Sequence, residues 1–256
     1  MDYLDILQLK VSVVDMDSVL QFVDDHVRQG THPASIVCAN PEKIFQLRSC
    51  AQIRPLFEVA DMVIPDGIGI VLAARLLYRR KLRRVAGADL MQSICAAAAA
   101  RNHRIFLFGS SEQTNRKAVE NLRKRYPGIN IVGTQHGYLE ADKMDALVAR
   151  INDARPDILF VALGSPRQEI WIQQHLPKLN VKVVQAIGGT LDTIAGTVKR
   201  APSWMMAIGL EWFYRLLKQP SRVRRDLNLL RFSAEVLRIK LAGGVFDRPV
   251  SPGQNT

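Results

Sequence analysis

Short, continuous apolar runs alternate along this chain with longer stretches in which apolar residues recur every three or four positions. The runs at residues 11–14, 35–39, 62–65, 104–108, 130–133, 156–163 and 181–187 predict strands. Hydrophobicity that is continuous rather than alternating belongs to strands buried on both faces. Helical spacing predicts helices over 16–28, 42–48, from Asp66-Gly67 to about residue 78, and over 88–100, 112–126, 141–154 and 167–175. Asp15 or Asp17 is placed to cap the first of these. This alternation of strand and helix implies a parallel sheet covered by helices on both faces, an α/β fold.

After Pro202 the strand pattern stops, and the remainder reads as helices over 203–217 and 221–241, separated by Lys218-Gln219-Pro220. The chain therefore divides into an α/β core of residues 1–200, a helical basic appendage of residues 201–245 and a flexible tail of residues 246–256. In the second appendage helix, Val223, Leu227, Leu230, Ala234, Leu237 and Leu241 form an apolar stripe. Arg224, Asn228, Arg231, Glu235 and Arg238 lie beside it. A basic amphipathic helix of this kind lies in a lipid interface, or packs on the core or on a partner subunit. The first appendage helix, with Trp204, Met205, Leu210, Trp212, Phe213, Leu216 and Leu217, is apolar nearly all round and must bury against protein or lipid.

Charge sharpens this picture. The chain carries a net +11. From Arg215 to Lys240 there are eight Lys and Arg against two acids, which is more than half of that excess. An anionic partner is expected: nucleic acid, phosphate groups or acidic lipid headgroups. No stretch reaches the ~18–20 uncharged apolar residues of a membrane span, and MDYLDILQLK does not read as a signal peptide, so membrane contact is expected to be peripheral. Three cysteines without metal-type spacing fit a reducing cytoplasm.

In open parallel sheets, ligands bind beyond the carboxyl ends of the strands. Five such places carry polar residues or glycine: Asn40; Asp66-Gly67; Gly109-Ser110-Ser111; Gly164-Ser165-Pro166-Arg167-Gln168; and Gly188-Gly189-Thr190 with Asp192. The glycine turns either admit phosphate oxygens to backbone N–H groups or simply close tight strand-to-helix turns. Neither Walker A nor G-x-G-x-x-G spacing is present, which argues against a nicotinamide-dependent oxidoreductase. Asp66 is the best candidate for a general base, with capping of the helix opened by Gly67 as the alternative. Asp15-Met16-Asp17 has a metal-holding D-x-D form but reads better as a helix cap, so no essential metal is expected. An α/β nucleotide- or RNA-binding module with a basic tail is the rival reading, although no RNP-type aromatic motif or zinc finger supports it.

Taken together, Asn40-Pro41-Glu42, Pro65-Asp66-Gly67-Ile68-Gly69, Arg84-Val85-Ala86-Gly87-Ala88-Asp89-Leu90 and Gly164-Ser165-Pro166-Arg167-Gln168-Glu169 resemble motifs of the WecG/TagA/CpsF glycosyltransferases. Gly188-Gly189-Thr190-Leu191-Asp192, Ala195-Gly196, Arg200-Ala201-Pro202 and Gly209-Leu210-Glu211-Trp212 continue the likeness, which spans roughly residues 8–240. The resemblance implies a Rossmann-like core and a C-terminal appendage that docks at the cytoplasmic face of the bacterial inner membrane and completes the site. It implies a UDP-sugar donor, a polyprenyl-diphosphate-linked glycan acceptor, and inversion without a metal or other cofactor. It also implies a place in cell-envelope or exopolysaccharide synthesis, with no nucleic-acid partner.

Carried over by position, Asp66 corresponds to the base and Asn40 to the polar residue beside it. Arg84 and Gln168 correspond to pocket residues facing sugar or acceptor. Gly188, Gly189 and Asp192 correspond to the nucleotide-binding turn. Arg215, Arg222 and Arg225 correspond to arginines that steady the leaving diphosphate. Gly67, Gly109, Ser110, Gly164, Arg167 and Thr190 join the expected substrate-binding set. Cys38 stands where the family often has threonine, which bears on the acceptor contact. The transferred sugar and the oligomeric state stay open, homo-oligomers included.

Overall fold

Every strand expected of the core forms, and six of them build one parallel sheet. The computed structural model describes residues 1–207, 211–218 and 223–243, excluding the side chains of 203, 207, 211, 215, 218 and 223–226. In chain order the strands are β1 (Tyr3–Ile6), β2 (Leu9–Ser12), β3 (Ala34–Ala39), β4 (Met62–Pro65), β5 (Arg104–Gly109), β6 (Asn130–Gln135), β7 (Ile158–Ala162) and β8 (Val183–Ala186). The main sheet runs β4-β3-β8-β7-β5-β6, and every neighbouring pair is parallel.

Successive strand residues enter opposite cores, as the two-residue repeat of a strand requires. Val37, Val63, Phe106, Phe108, Leu159, Val161 and Val184 pack on one face. Ile36, Ile64, Ile105, Leu107, Ile158, Phe160 and Val183 pack on the other. The second face is covered by α1 (Met16–Gln29), α5 (Gly87–Arg101), α6 (Glu112–Arg125) and the short α9 (Thr190–Ile194). The first is covered by α2 (Pro41–Ser49), α3 (Arg54–Val59), α4 (Ile68–Tyr78), α7 (Met144–Ala154) and α8 (Arg167–His175).

One expected element changes place. The run at 11–14 is not a strand of the parallel sheet but overlaps the second arm of an antiparallel hairpin, β1–β2. The hairpin lies along the outer edge of β4, where Ser12 Oγ accepts the Val63 N–H at 3.0 Å. Covering that edge removes a row of exposed backbone donors and acceptors.

The C-terminal helices are α10 (Ser203–Ala207), α11 (Glu211–Lys218) and α12 (Val223–Leu241). The single helix expected over 203–217 is described as two pieces, with 208–210 between them outside the described residues. α12 packs on both α2 and α4. Phe232 and Val236 are buried in the first core, and Leu229 and Phe232 close over Gly69, where a Cβ would already stand 2.7 Å from Pro41 Cγ. Arg48 and Glu235 form a two-pronged ion pair, 2.9 and 2.8 Å, that fastens α12 to α2. The stripe read from the sequence points the other way: Leu227, Leu230, Ala234, Leu237 and Leu241 are exposed. No helix among the described residues is long and apolar enough to cross a membrane.

Candidate active site

β3, β4, β7 and β8 end side by side, and a cleft of about 400 Å³ opens above their carboxyl ends. Its position follows from the topology, because the chain leaves these strands through turns that must rise off the sheet before their helices begin.

Asn40 follows β3 directly and caps α2, its Oδ1 accepting the Lys43 N–H at 2.9 Å. The carbonyl end of the amide is thereby committed to the helix. Nδ2, with no hydrogen-bond partner among the described residues, is the end left for a ligand in the cleft that Asn40 lines.

Asp66 follows β4. It does not cap the helix that Gly67 opens, since α4 has no side-chain cap. Its Oδ1 instead accepts the N–H of Gly87, the first residue of α5, at 2.9 Å. Partial positive charge at a helix's first turn is a favourable neighbour for a carboxylate. The Asp66 carbonyl accepts from Arg84 Nε at 2.7 Å, which draws the guanidinium to the cleft wall. The approach of α5 to β3 is close: a Cβ on Gly87 would stand 2.7 Å from Cys38 Sγ. Burial, with the Asp66 charge as a second cause, pushes the Cys38 thiol well above its ordinary pKa. Burial in the cleft therefore favours the protonated form of the Cys38 thiol.

Gly164, Gly188, Gly189, Thr190 and Gln168 complete the far wall. Gly164 and Gly188 adopt left-handed φ of +74° and +54°, and a Cβ on either would meet nothing within 4 Å. Gln168 Oε1 accepts the Gly188 N–H at 2.9 Å, so the residue expected to face a substrate also holds the glycine turn. Thr190 donates its hydroxyl to the Ile187 carbonyl.

Other members of the expected set lie elsewhere. Gly109 belongs to a tight turn whose φ is +127°, where a Cβ would fall 2.3 Å from the Ala162 carbonyl oxygen. Of its two sequence readings, the structure favours the turn-closing one. Ser110 reaches Asp192, Oγ to Oδ1 3.2 Å, and neither residue lines the cleft. Arg167 turns away, donating to the Gly137 carbonyl at 3.2 Å. The side chains of Arg215, Arg222 and Arg225 lie outside the described residues. Asp15 of the D-x-D sequence caps α1 through a reciprocal pair of bonds with Ser18.

Sequence reasoning passed over a buried ion pair in the cleft floor. Lys43 Nζ lies 2.8 Å from Glu169 Oε1, with the two side chains 5% and 3% exposed. The signal available was a lysine directly after one quoted motif and a glutamate closing another, but 126 positions separate them. Sequence reasoning named Trp212 as a motif and apolar helix residue but not as part of the site, and passed over Leu229; through these two α11 and α12 contribute to the rim. The family model described as Glycosyl transferase WecG/TagA/CpsF family matches residues 4–244 of this chain.

Proposed function

The chain belongs to the WecG/TagA/CpsF family of glycosyltransferases, and from that premise we propose that it moves a hexose-type sugar from a UDP-sugar to a polyprenyl-diphosphate-linked glycan. The observation that carries this reading is the Asp66 carboxylate, anchored through one oxygen to Gly87 in a cleft shared with Asn40 and Arg84. Such anchoring holds a base in one orientation, as proton abstraction from a positioned hydroxyl requires.

In this reading Asp66 takes the proton of an acceptor hydroxyl as that oxygen attacks the anomeric carbon. The new C–O bond forms while the bond to the UDP oxygen breaks, and the configuration at that carbon inverts. UDP departs with the bonding electron pair, and the proton stays on Asp66. Charge developing on the diphosphate needs preorganised donors. Arg84 at the cleft wall is one, and Arg215, Arg222 and Arg225 are the sequence candidates for the others.

The acceptor's lipid anchor calls for a membrane surface. Exposed Leu227, Leu230, Leu237 and Leu241, flanked by exposed Arg231 and Arg238, support α12 as the helix that lies on anionic lipid at the inner membrane's cytoplasmic face. Because Trp212 and Leu229 from the same helical region line the cleft, docking and cleft shape are coupled in this reading.

The test is a panel of UDP-linked glucose, N-acetylmannosamine and N-acetylmannosaminuronic acid, incubated with a synthetic polyprenyl-diphosphate glycan. UDP release with one added sugar on the lipid-linked product is expected for one donor. No UDP release from any donor, together with steeply salt-dependent RNA binding, would transfer the argument to a nucleic-acid-binding module.

A further inference from the structure

We propose that Lys43 and Glu169 are a positioning pair whose task is to fix the amide of Gln168 and, through it, the Gly188-Gly189 turn of the cleft. This rests on the glycosyltransferase reading only for its kinetic consequence.

Glu169 Oε1 accepts two hydrogen bonds, from Lys43 Nζ at 2.8 Å and from Gln168 Nε2 at 2.9 Å. Gln168 Oε1 accepts the Gly188 N–H at 2.9 Å. An ionised carboxylate has no proton to donate, so it can be met only by the NH₂ end of an amide. The Gln168 amide therefore cannot flip without setting its oxygen against the Glu169 carboxylate. Its oxygen is directed to Gly188 by the charge behind it. The bonds run from α2 through α8 to the turn that follows β8, tying together three segments that wall the cleft.

Two observations separate this role from ligand binding. All three Lys43 ammonium protons are used, on Glu169, on Gln46 Oε1 at 2.9 Å and on Ser165 Oγ. The lysine therefore offers no bond to an entering diphosphate. Glu169 Oε2 is buried and has no hydrogen-bond partner among the described residues, so its carboxylate is steered there through Oε1. Stability is a poor explanation for such a pair, because well-packed apolar residues in its place are often as stable or more so. Gly188 has an open volume where its Cβ would be, and its N–H is already taken. The turn thus serves the cleft by shape, and its shape depends on Gln168.

The double variant Lys43→Met/Glu169→Leu removes the charges while keeping most of the volume. Two readouts decide. In the full chain, Gly188 amide hydrogen exchange, followed by NMR, is expected to accelerate about tenfold as the turn loosens locally. The donor KM is expected to rise about fivefold or more while the melting temperature stays within a few degrees. A pair serving only stability would leave both exchange and KM unchanged in a folded double variant, and that result overturns the proposal. Should the double variant fail to fold, the single variant Glu169→Gln replaces it, since a neutral amide at 169 no longer dictates which end of the Gln168 amide faces Gly188. Faster exchange at Gly188 supports the chain of bonds, and unaltered exchange refutes it. The exchange readout needs no substrate, so it stands even where no UDP-sugar is turned over.

Discussion

Asp66 and Gly87 meet directly: the carboxylate Oδ1 of Asp66 accepts the backbone N–H of Gly87 at 2.9 Å. Gly87 is held from its other side too, its carbonyl accepting from Gln185 Nε2 of the central strand at 3.1 Å. The start of α5 is therefore fixed between the end of β4 and the sheet interior. An asparagine at position 66 can still accept the Gly87 N–H, so Asp66→Asn removes the proposed base and leaves the scaffold. Its turnover is expected to fall on the order of 100-fold or more, while UDP affinity by titration calorimetry stays near that of the parent. Turnover close to the parent value would remove Asp66 from the role of base.

Gly87→Ala tests the same contact by crowding. The added methyl stands 2.7 Å from Cys38 Sγ and must displace either the thiol or the helix start. Overpacking of this kind costs about 1–3 kcal/mol, and moving the Gly87 N–H away from Asp66 loses turnover as well. In Cys38→Ala/Gly87→Ala the sulfur is gone. Thermal melts and turnover should both recover toward the Cys38→Ala value. Failure of both to recover would show that the methyl meets something other than the thiol.

Much of this architecture is legible in the sequence because both-face burial writes itself as continuous apolar runs. Residues 158–162 and 183–186 are buried throughout, and the turns that follow them carry the cleft glycines. Legibility fails where geometry departs from the usual residue choices. The β1–β2 hairpin turns on Leu7 and Gln8, both at positive φ of 55° and 69°. Asn-Gly or Asp-Gly is the ordinary signal for such a turn. Here Asp5 supplies the missing help by accepting the Gln8 N–H at 2.7 Å, which no turn motif announces.

α12 fails for a different reason. It is apolar on two faces, and periodicity alone could not say that Leu229, Phe232 and Val236 face inward while Leu230 and Leu237 do not. The Lys43–Glu169 bond is legible only in three dimensions, since each residue alone reads as an ordinary helix-surface charge.

The Arg48–Glu235 pair predicts a pH dependence for the seating of α12. The side-chain hydrogen bonds from Arg48 hold the Glu235 carboxyl below its ordinary pKa. A depressed carboxyl contributes stability above its unfolded value, near 4.3, and loses that contribution as pH falls through the lower folded value. With about a third of each side chain exposed, solvent screening limits the pair to about 0.5–1 kcal/mol. Glu235→Gln should cost that amount at pH 7 by denaturant titration. The gap between parent and variant should close as pH drops below about 4. A gap that persisted undiminished in acid would mean that packing, not charge, sets the cost.

The outward stripe of α12 gives the sharpest test of the proposed lipid partner, because it can be changed without touching the core. Deleting residues 203–245 is less clean, since Phe232 and Val236 are buried against the core and their loss would bare α2 and α4. Leu230 and Leu237 are 68% and 51% exposed and cover little of the protein itself. Their replacement by glutamate should leave the melting temperature nearly unchanged. Inserting two leucines into lipid contributes about 3 kcal/mol or more, which corresponds to a partition change on the order of 100-fold. Co-sedimentation with vesicles rich in anionic lipid should therefore collapse in the double variant, and added salt should weaken parent binding through Arg231 and Arg238. The same stripe in a self-associated protein would face an identical set of arginines across the contact, so dimerisation has to overcome like-charge repulsion that anionic lipid does not present. A parent protein that ignores anionic vesicles and sediments as a dimer, with the double variant monomeric, would assign this face to a second copy of the chain.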